Sequence, residues 1–385
     1  MTKHNQTPAK PYRRAVVFAG GGLRFGYYLG VYQALCETGK RPDIVLAICG
    51  GAFAAAFLEL APEPKMALVL LQSPTAYQMF CRFYGVVPAH RMAFVLPATR
   101  RFISLKPDKS KHALSQKTLD SLYSQALFAI KDEGDYPLWQ SDKLTQILSQ
   151  DLTQNLAQNP AQIPTNLPSP SEQTIASLMV LSRLQTVDTG YCWQSLLRPS
   201  AAVSADVCTW LDGVPCVLHD HQPKRVAPTV AVQDLPLAVA VRASISDMYY
   251  LSPTHHDGQT LFGGVLDLTP VELASVLADE VFIDDKTPYD KLLASPAIGS
   301  CFGFDPNVRL SEVKQKTHPA MVHWLPLADS RRHVPALIGK RFHWQKGCIQ
   351  GVYPTFNTFK QIAHQQYHYG YQTTKAYLLN HDNSS

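Results

Sequence analysis

VVFAGGGLRFGYYLGVYQALCETGKRPDIVLAICGGAFAAAF, residues 16–57, decides the fold. Val16, Val17 and Phe18 are a short apolar, β-branched run that suits a buried strand. Gly20, Gly21 and Gly22 follow it. Tyr28, Val31, Tyr32 and Leu35 then recur at helical spacing, and Gly39 stops that helix. Asp43 to Ile48 reads as a second buried strand, ending at Cys49-Gly50-Gly51, and the alanine-rich run from Ala52 to Ala61 as a second helix. The order strand, glycine loop, helix, strand, sharp turn, helix is a βαβα unit on a parallel sheet, so the fold class is α/β.

Two places in this stretch suit chemistry. Gly20-Gly21-Gly22-Leu23-Arg24 exposes backbone N–H groups at the start of a helix, where they form an anion site. Ala47-Ile48-Cys49-Gly50-Gly51 places one reactive side chain among small residues between a strand and a helix, as a strained nucleophile elbow requires. A dinucleotide loop fits less well. Gly20 and Gly22 match G-x-G-x-x-G, but Phe25 takes the last position. Cys49 replaces the acidic residue expected about 20 residues on. Two plain tight turns in a sheet are the remaining reading of the same residues.

The stretch resembles the opening of the patatin-like phospholipases, which carry G-G-G-x-[KR]-G for the oxyanion and then G-x-S-x-G-[AG] at the elbow. Gly20, Gly21, Gly22 and Arg24 match the first motif. Tyr27, Gly30, Val31, Ala34 and Leu35 continue in a family-like helix, and Gly51 and Ala52 match the end of the second motif. Far downstream, Arg242-Ala-Ser244 and then Phe262-Gly263-Gly264 match the family's R-A-S and final D-G-[GA]. The resemblance implies a three-layer α/β/α sandwich with a mainly parallel central sheet. It also implies lipid acyl chemistry, with a lipid or acyl-ester substrate and contact with membrane surfaces from outside. Asp267 matches an acidic position after D-G-G.

The departures fall on the dyad. Cys49 stands at the serine position, Phe262 at the aspartate position, Ala47 at the first elbow glycine and Phe25 at the glycine after Arg24. Phenylalanine accepts no proton, so the Ser–Asp mechanism does not run as written. A thiolate at a helix N-terminus has a depressed pKa and attacks esters readily. Gly50 and Gly51 join the glycine loop around it. His255, His256 and Asp257 supply the nearest candidates for a replacement base. The expectation is a slow thiol acyl hydrolase or acyltransferase. The alternative is a non-catalytic member that binds lipid or a protein partner, with Phe262 beside Cys49 making the old site apolar.

Composition bounds the rest. Hydrophobic residues at 46% and charged residues at 17% are those of a globular chain with an ample core. A net charge of +5 is too mild to point to nucleic acid. The eight cysteines form no C-x-x-C pair, which suits a reducing, cytoplasmic setting and no cofactor or metal. His219, Asp220 and His221 read as a polar loop rather than ligands. Residues 1–14 read as a flexible tail without a signal peptide. The family-like domain is expected over 15–275, with an elaborated insertion over about 66–185 that holds a Gln/Asn/Pro linker at 151–174. Within it, 116–150 reads as helical, and the aromatic-basic segment 77–102 as a packed helix pair with a solvated basic face, a lid or lipid-facing surface being its alternative. Strands are expected at 201–207, 214–218, 229–232 and 237–241, and Thr186 to Gly190 as a strand end. An extension over 276–385, with a helix at 357–379, packs on the same domain. The sequence does not set the oligomeric state.

Overall fold

The computed structural model describes residues 9–86, 126, 128–131, 174–187, 190–212, 226–247, 250–264, 269–291, 295, 298–299, 304–345 and 348–382. In chain order, β1 (Tyr12–Phe18) leads through the glycine loop to α1 (Gly26–Glu37), β2 (Ile44–Ile48) and α2 (Gly50–Leu60). Then come α3 (Pro64–Leu71), α4 (Pro74–Phe80), β3 (Phe83–Gly85), β4 (Phe128–Ile130), β5 (Ala176–Val187), β6 (Gly190–Pro199), α5 (Ala205–Leu211) and β7 (Val226–Ala231). They are followed by α6 (Leu237–Ser244), β8 (Thr254–His256), β9 (Gln259–Gly263), α7 (Val271–Leu277), β10 (Ala278–Asp284), α8 (Pro306–Gln315) and β11 (Met321–Leu325). The described chain closes with α9 (Ser330–His333), β12 (Gly339–His343), β13 (Cys348–Val352) and the long α10 (Phe356–Asp382).

The main sheet runs β11-β10-β1-β2-β5-β6-β7, with β9 against β5 and β8 against β9. Its left half, β11 through β5, is parallel, as βαβ crossovers require. The strands β6, β8 and β9 introduce the antiparallel pairs. Alternation along the central strands sends side chains to two cores. Val16, Phe18, Val45, Ala47, Met179, Leu181 and Phe282 face α1, α2, α3, α6 and α10. Val17, Leu46, Ile48, Val180, Val281 and Ile283 face α5 and α7. Both sheet faces are therefore covered, and the molecule is an α/β sandwich.

Local signals set the helix ends. Glu63 and Ser73 cap α3 and α4 from the side chain, each with proline in the first turn. Gly39 at φ +73° ends α1, with Lys40 N–H returning to the Leu35 carbonyl at 2.8 Å.

Several expectations need correction. Residues 201–207 and 237–241 are not strands. Ser204 caps α5 with its side chain, and the apolar run from Leu237 is the helix α6 behind Pro236. A short apolar run fits either state, and here burial of one helical face decides. The strand β5, within the expected insertion, is the direct neighbour of β2 in the central sheet. The expected helix at 116–150 is not borne out where it is described: Phe128–Ile130 is the strand β4, paired with β3 at Phe83–Gly85, which also replaces the second helix expected in 77–102. The rest of 116–150 apart from 126 and 131, the strand at 214–218, residues 219–221, Asp267, nearly all of the linker at 151–174 and residues 87–102 lie outside the described residues.

Past residue 275 the chain supplies β10 and β11 to the main sheet. The helix α10 lies on α1 at the closest possible approach. A Cβ on Gly30 would sit 1.9 Å from the Tyr367 carbonyl oxygen, and one on Gly370 2.0 Å from that of Tyr27. Among the described residues, no helix is long and apolar enough to cross a membrane.

Candidate active site

The site forms where two strands meet end to end on one edge of β5. β2 pairs with β5 up to Ile48 opposite Val180, and β9 takes over with Gly263 opposite Leu181. Cys49 emerges at this junction. Its backbone is at φ +51°, ψ −123°, a conformation that costs a non-glycine residue about 1–3 kcal/mol and must be held by its surroundings. The following glycines make that turn possible. A Cβ on Gly51 would lie 1.9 Å from the Phe18 carbonyl oxygen, and one on Gly50 2.4 Å from that of Gly22. Elbow and glycine loop are thus in backbone contact, and the backbone N–H groups of Gly22 and Gly50 favour the charged form of the Cys49 sulfur.

The acid that meets Cys49 is Asp247. Cys49 Sγ donates to Asp247 Oδ2 at 3.0 Å. The other carboxylate oxygen, Oδ1, is buried without a hydrogen-bond partner among the described residues. A Cβ on Gly263 would come within 2.6 Å of it, so the missing side chain there makes room for the carboxylate.

The Arg242-Ala-Ser244 motif builds the mount for this acid. Ser244 Oγ accepts from the Cys49 N–H at 3.0 Å and donates to the Val180 carbonyl at 2.9 Å, tying elbow to sheet. The buried Arg242 guanidinium bonds Ser246 Oγ and donates to the Ser252 carbonyl at 3.0 Å, clamping both ends of the loop that carries Asp247. The Ser246 carbonyl in turn accepts from Gly263 N–H at 3.0 Å.

The pair is electrostatically distinctive. Burial pushes the Asp247 carboxyl up to about 7, against the opposing pull of its bond from Cys49. Burial and then the Asp247 charge push the Cys49 thiol well above its ordinary value, outweighing the Gly50 and Gly22 N–H groups. This corrects the expectation of a depressed thiol: the helix terminus loses to desolvation and a facing carboxylate.

Other candidates lie elsewhere. His255 and His256 stand on β8, opposite Thr260 and Gln259, so at 3.4 Å per residue they are about 10 Å or more out along the strands from Gly263. His255 meets Thr260 Oγ1 at 3.2 Å and His256 meets Asp257 at 3.4 Å, on the hairpin turn where Asp257 has φ +46°. Phe262 faces away from Asp247, since neighbours on a strand alternate, and packs edge-on to Trp193 with ring centroids 4.8 Å apart. It does not make the Cys49 pocket apolar. Asp247 is absent from the sequence-based candidates; its only signal there is its position three residues after Ser244 of the R-A-S match, in the loop that follows α6.

The glycine loop is held from behind by residues beyond the motif. Lys286 Nζ donates to the Gly20 carbonyl at 2.5 Å, and Tyr28 Oη to that of Ala19 at 2.5 Å. Both also meet the buried Asp284, which accepts from Tyr27 Oη at 2.9 Å. Gln366 of α10 accepts from Gly26 N–H at 3.0 Å and donates to the carbonyls of Leu23 at 3.1 Å and Pro335 at 2.8 Å. Arg24 Nε donates to the Val334 carbonyl at 2.9 Å, and Leu337 N–H to that of Leu23 at 2.8 Å. The segment from Arg331 to Lys340 is thereby stitched to the loop.

No curated protein matches the sequence. Among solved structures, VipD from Legionella pneumophila is similar at 15% identity over 97% of this chain and 68% of that one, with a TM-score of 0.34, a likeness too low to add to the assignment. The family model described as Patatin-like phospholipase matches residues 16–275, from the first strand through the glycine loop, the elbow, Arg242-Ala-Ser244 and Gly263-Gly264. The chain belongs to the patatin-like phospholipase family.

Proposed function

We propose that the protein is a lipid acyl hydrolase in which Cys49 and Asp247 stand in for the family's Ser–Asp dyad. The observation that carries this is the 3.0 Å bond from Cys49 Sγ to Asp247 Oδ2, made at the elbow where Gly50 meets the backbone of Gly22 in the glycine loop. Asp247 takes the place expected of Phe262 and of His255, His256 or Asp257, and it does so from α6's loop rather than from β9.

The chemistry follows from the resting protonation. Above pH about 7 the pair holds a thiol and a carboxylate, not a thiolate. Cys49 therefore works as a serine would: Asp247 takes the Sγ proton as sulfur bonds to the ester carbonyl carbon. The oxyanion is received by Gly22 N–H and Gly50 N–H, each such donor being worth about 3 kcal/mol. Collapse breaks the bond to the alkoxy oxygen, and Asp247 returns the proton to the departing alcohol. Water then attacks the thioester, giving a proton to Asp247. Expulsion of Cys49 with that proton releases the carboxylic acid. An acyl acceptor better than water gives the transferase variant of the same cycle.

The test is incubation with a chromogenic short-chain acyl ester, followed by intact mass. The wild type is expected to turn over and to carry an acyl group on Cys49, with both lost in Cys49→Ala. Neither turnover nor adduct in the wild type would return the chain to the reading of a non-catalytic lipid-binding member.

A further inference from the structure

Acyl transfer at Cys49 uses the N–H side of the glycine loop, and the loop's carbonyl side is met by a buried charge pair. The Ala19 carbonyl accepts from Tyr28 Oη at 2.5 Å, and the Gly20 carbonyl from Lys286 Nζ at 2.5 Å. The two donors are themselves 3.0 Å apart, so both carbonyls point at one spot. In an extended strand successive carbonyls point to opposite edges. The strand β1 has ended at Phe18, and the next two peptides share one sense. The third carbonyl, that of Gly21, turns instead to the Arg24 N–H at 3.3 Å.

Lys286 lies just past β10, and its ammonium pairs with Asp284, a buried residue at the end of that strand. It also donates to Tyr27 Oη at 3.1 Å, and Tyr27 Oη donates to Asp284 Oδ2 at 2.9 Å. Burial, and then the Asp284 charge, hold both phenols well above their ordinary value, so they stay protonated and donate. The same rings line the loop: a Cβ on Gly21 would meet Tyr27 Oη at 3.1 Å and a Tyr28 ring carbon at 3.5 Å. A trans peptide is planar, so its N–H points opposite to its carbonyl. The Gly20 and Gly21 N–H groups are therefore both turned away from the cluster, and successive N–H groups of one sense are the backbone nests that receive anions. Gly22 follows at φ +55°, exposed and against Gly50.

We infer that Lys286, held by Asp284, is a positioning residue for acyl transfer: with Tyr28 it fixes two successive peptides of the glycine loop carbonyl-inward, so that the Gly20 and Gly21 N–H groups join that of Gly22 on the side that receives the oxyanion. The inference rests on the acyl-transfer reading of the same site. Neither Lys286 nor Asp284 lies within the residues the family model matches, so the loop's own motif does not supply this clamp. Without Lys286 the Gly20 carbonyl loses its partner, and rotation of its peptide toward solvent regains one. Glycine on both sides of that peptide offers little resistance to the rotation. It would turn the Gly21 N–H inward and set a carbonyl oxygen where the oxyanion's donors belong.

The test compares two reactions of Cys49 in the full-length protein. Acylation by the chromogenic ester builds an oxyanion, whereas alkylation by iodoacetamide, a displacement at saturated carbon, builds none. Asp284→Asn with Lys286→Met removes the donor and both charges, so no buried charge is left unpaired. Asp284→Asn with Lys286→Gln keeps a neutral N–H donor. Thermal melts confirm that each variant is folded. The methionine variant is expected to acylate more slowly by about tenfold or more, through kcat rather than KM, and to alkylate at an unchanged rate. The glutamine variant should recover most of the acylation. Tyr28→Phe removes the neighbouring clamp and leaves the charge pair; it should show the same split, and it decides the point should the double variants not fold. Acylation at the wild-type rate in the methionine variant, or equal losses in both reactions, overturns the inference. A wild type that alkylates but never acylates sinks the dyad reading alone. Crystal structures of the wild type and the methionine variant then decide the clamp: a Gly20 carbonyl turned outward in the variant supports it, and an unmoved one overturns it.

Discussion

Asp247 is a carboxylate kept at a cost. Its pKa is raised from 3.8 to about 7 by burial, so between those values the folded protein holds a proton that the unfolded chain has lost. Stability contributed by this group is present at low pH and falls as pH rises through that window, by an amount on the order of 2–4 kcal/mol. Asp247→Asn removes the ionisable group and is expected to raise the melting temperature at pH 8, while leaving it nearly unchanged at pH 4. The same variant should lose activity by about 10²–10⁴-fold, the contribution of a positioned base. In the wild type, kcat/KM for a neutral ester should rise with pH through about 7, as the carboxyl becomes able to accept the thiol proton. A profile that rises only above pH 9 would instead report attack by a free thiolate and remove Asp247 from the role of base. The raised thiol supplies a second check at this scale. Alkylation of Cys49 by iodoacetamide at pH 7.5 should be more than about tenfold slower than that of an unperturbed cysteine, because thiolate is the reacting form.

The elements that aim the site are α6, α10 and the glycine loop, and they differ in how far the sequence disclosed them. The loop and elbow were legible because sterics leave few residues free at Gly50 and Gly51. The acid was not, because the family's D-G-G pattern directs attention to Phe262, while the carboxylate arrives from a loop fixed only in three dimensions by Arg242 and Ser244. The α6 helix read as a strand because alternating Ala and Val satisfy both periods over a few residues. Least legible was Gln366, one of several glutamines in a long, largely polar helix with a weak apolar stripe. It is fully buried and satisfies Gly26 N–H and two carbonyls around the loop. Gln366→Leu keeps the volume but leaves those groups unpaired, at about 1–3 kcal/mol each. The expected result is a lower denaturation midpoint together with a fall in kcat that exceeds any change in KM, since the loop's N–H groups act on the transition state. Gly370→Ala, which pushes α10 off α1, should destabilise by roughly 1–3 kcal/mol or more. A Gln366→Leu protein with wild-type kcat would show that the loop holds its shape without α10.

For the whole molecule, the question is whether the family-matched portion, ending at residue 275, is a folding unit. The topology argues that it is not. β10 lies between β1 and β11 in the main sheet, and Val281, Phe282 and Ile283 on it are fully buried, contributing to both cores. Removing everything after Ser275 would turn β1 from an interior strand into an open edge, the kind that pairs with other chains. It would also strip Asp284 and Lys286 from behind the glycine loop, and α10 from the face of α1. Burying a single large apolar side chain is worth about 1.5–3 kcal/mol, and net stabilities of domains are only about 5–15 kcal/mol. Loss of β10 and α10 together exceeds that margin. A chain ending at Ser275 is therefore expected to aggregate or to show no cooperative melt, and to lack the acyl-Cys49 adduct. The full chain should unfold in one transition that Gln366→Leu and Asp247→Asn shift in opposite directions at pH 8. A folded, ester-reactive fragment 1–275 would instead make the C-terminal segment an accessory.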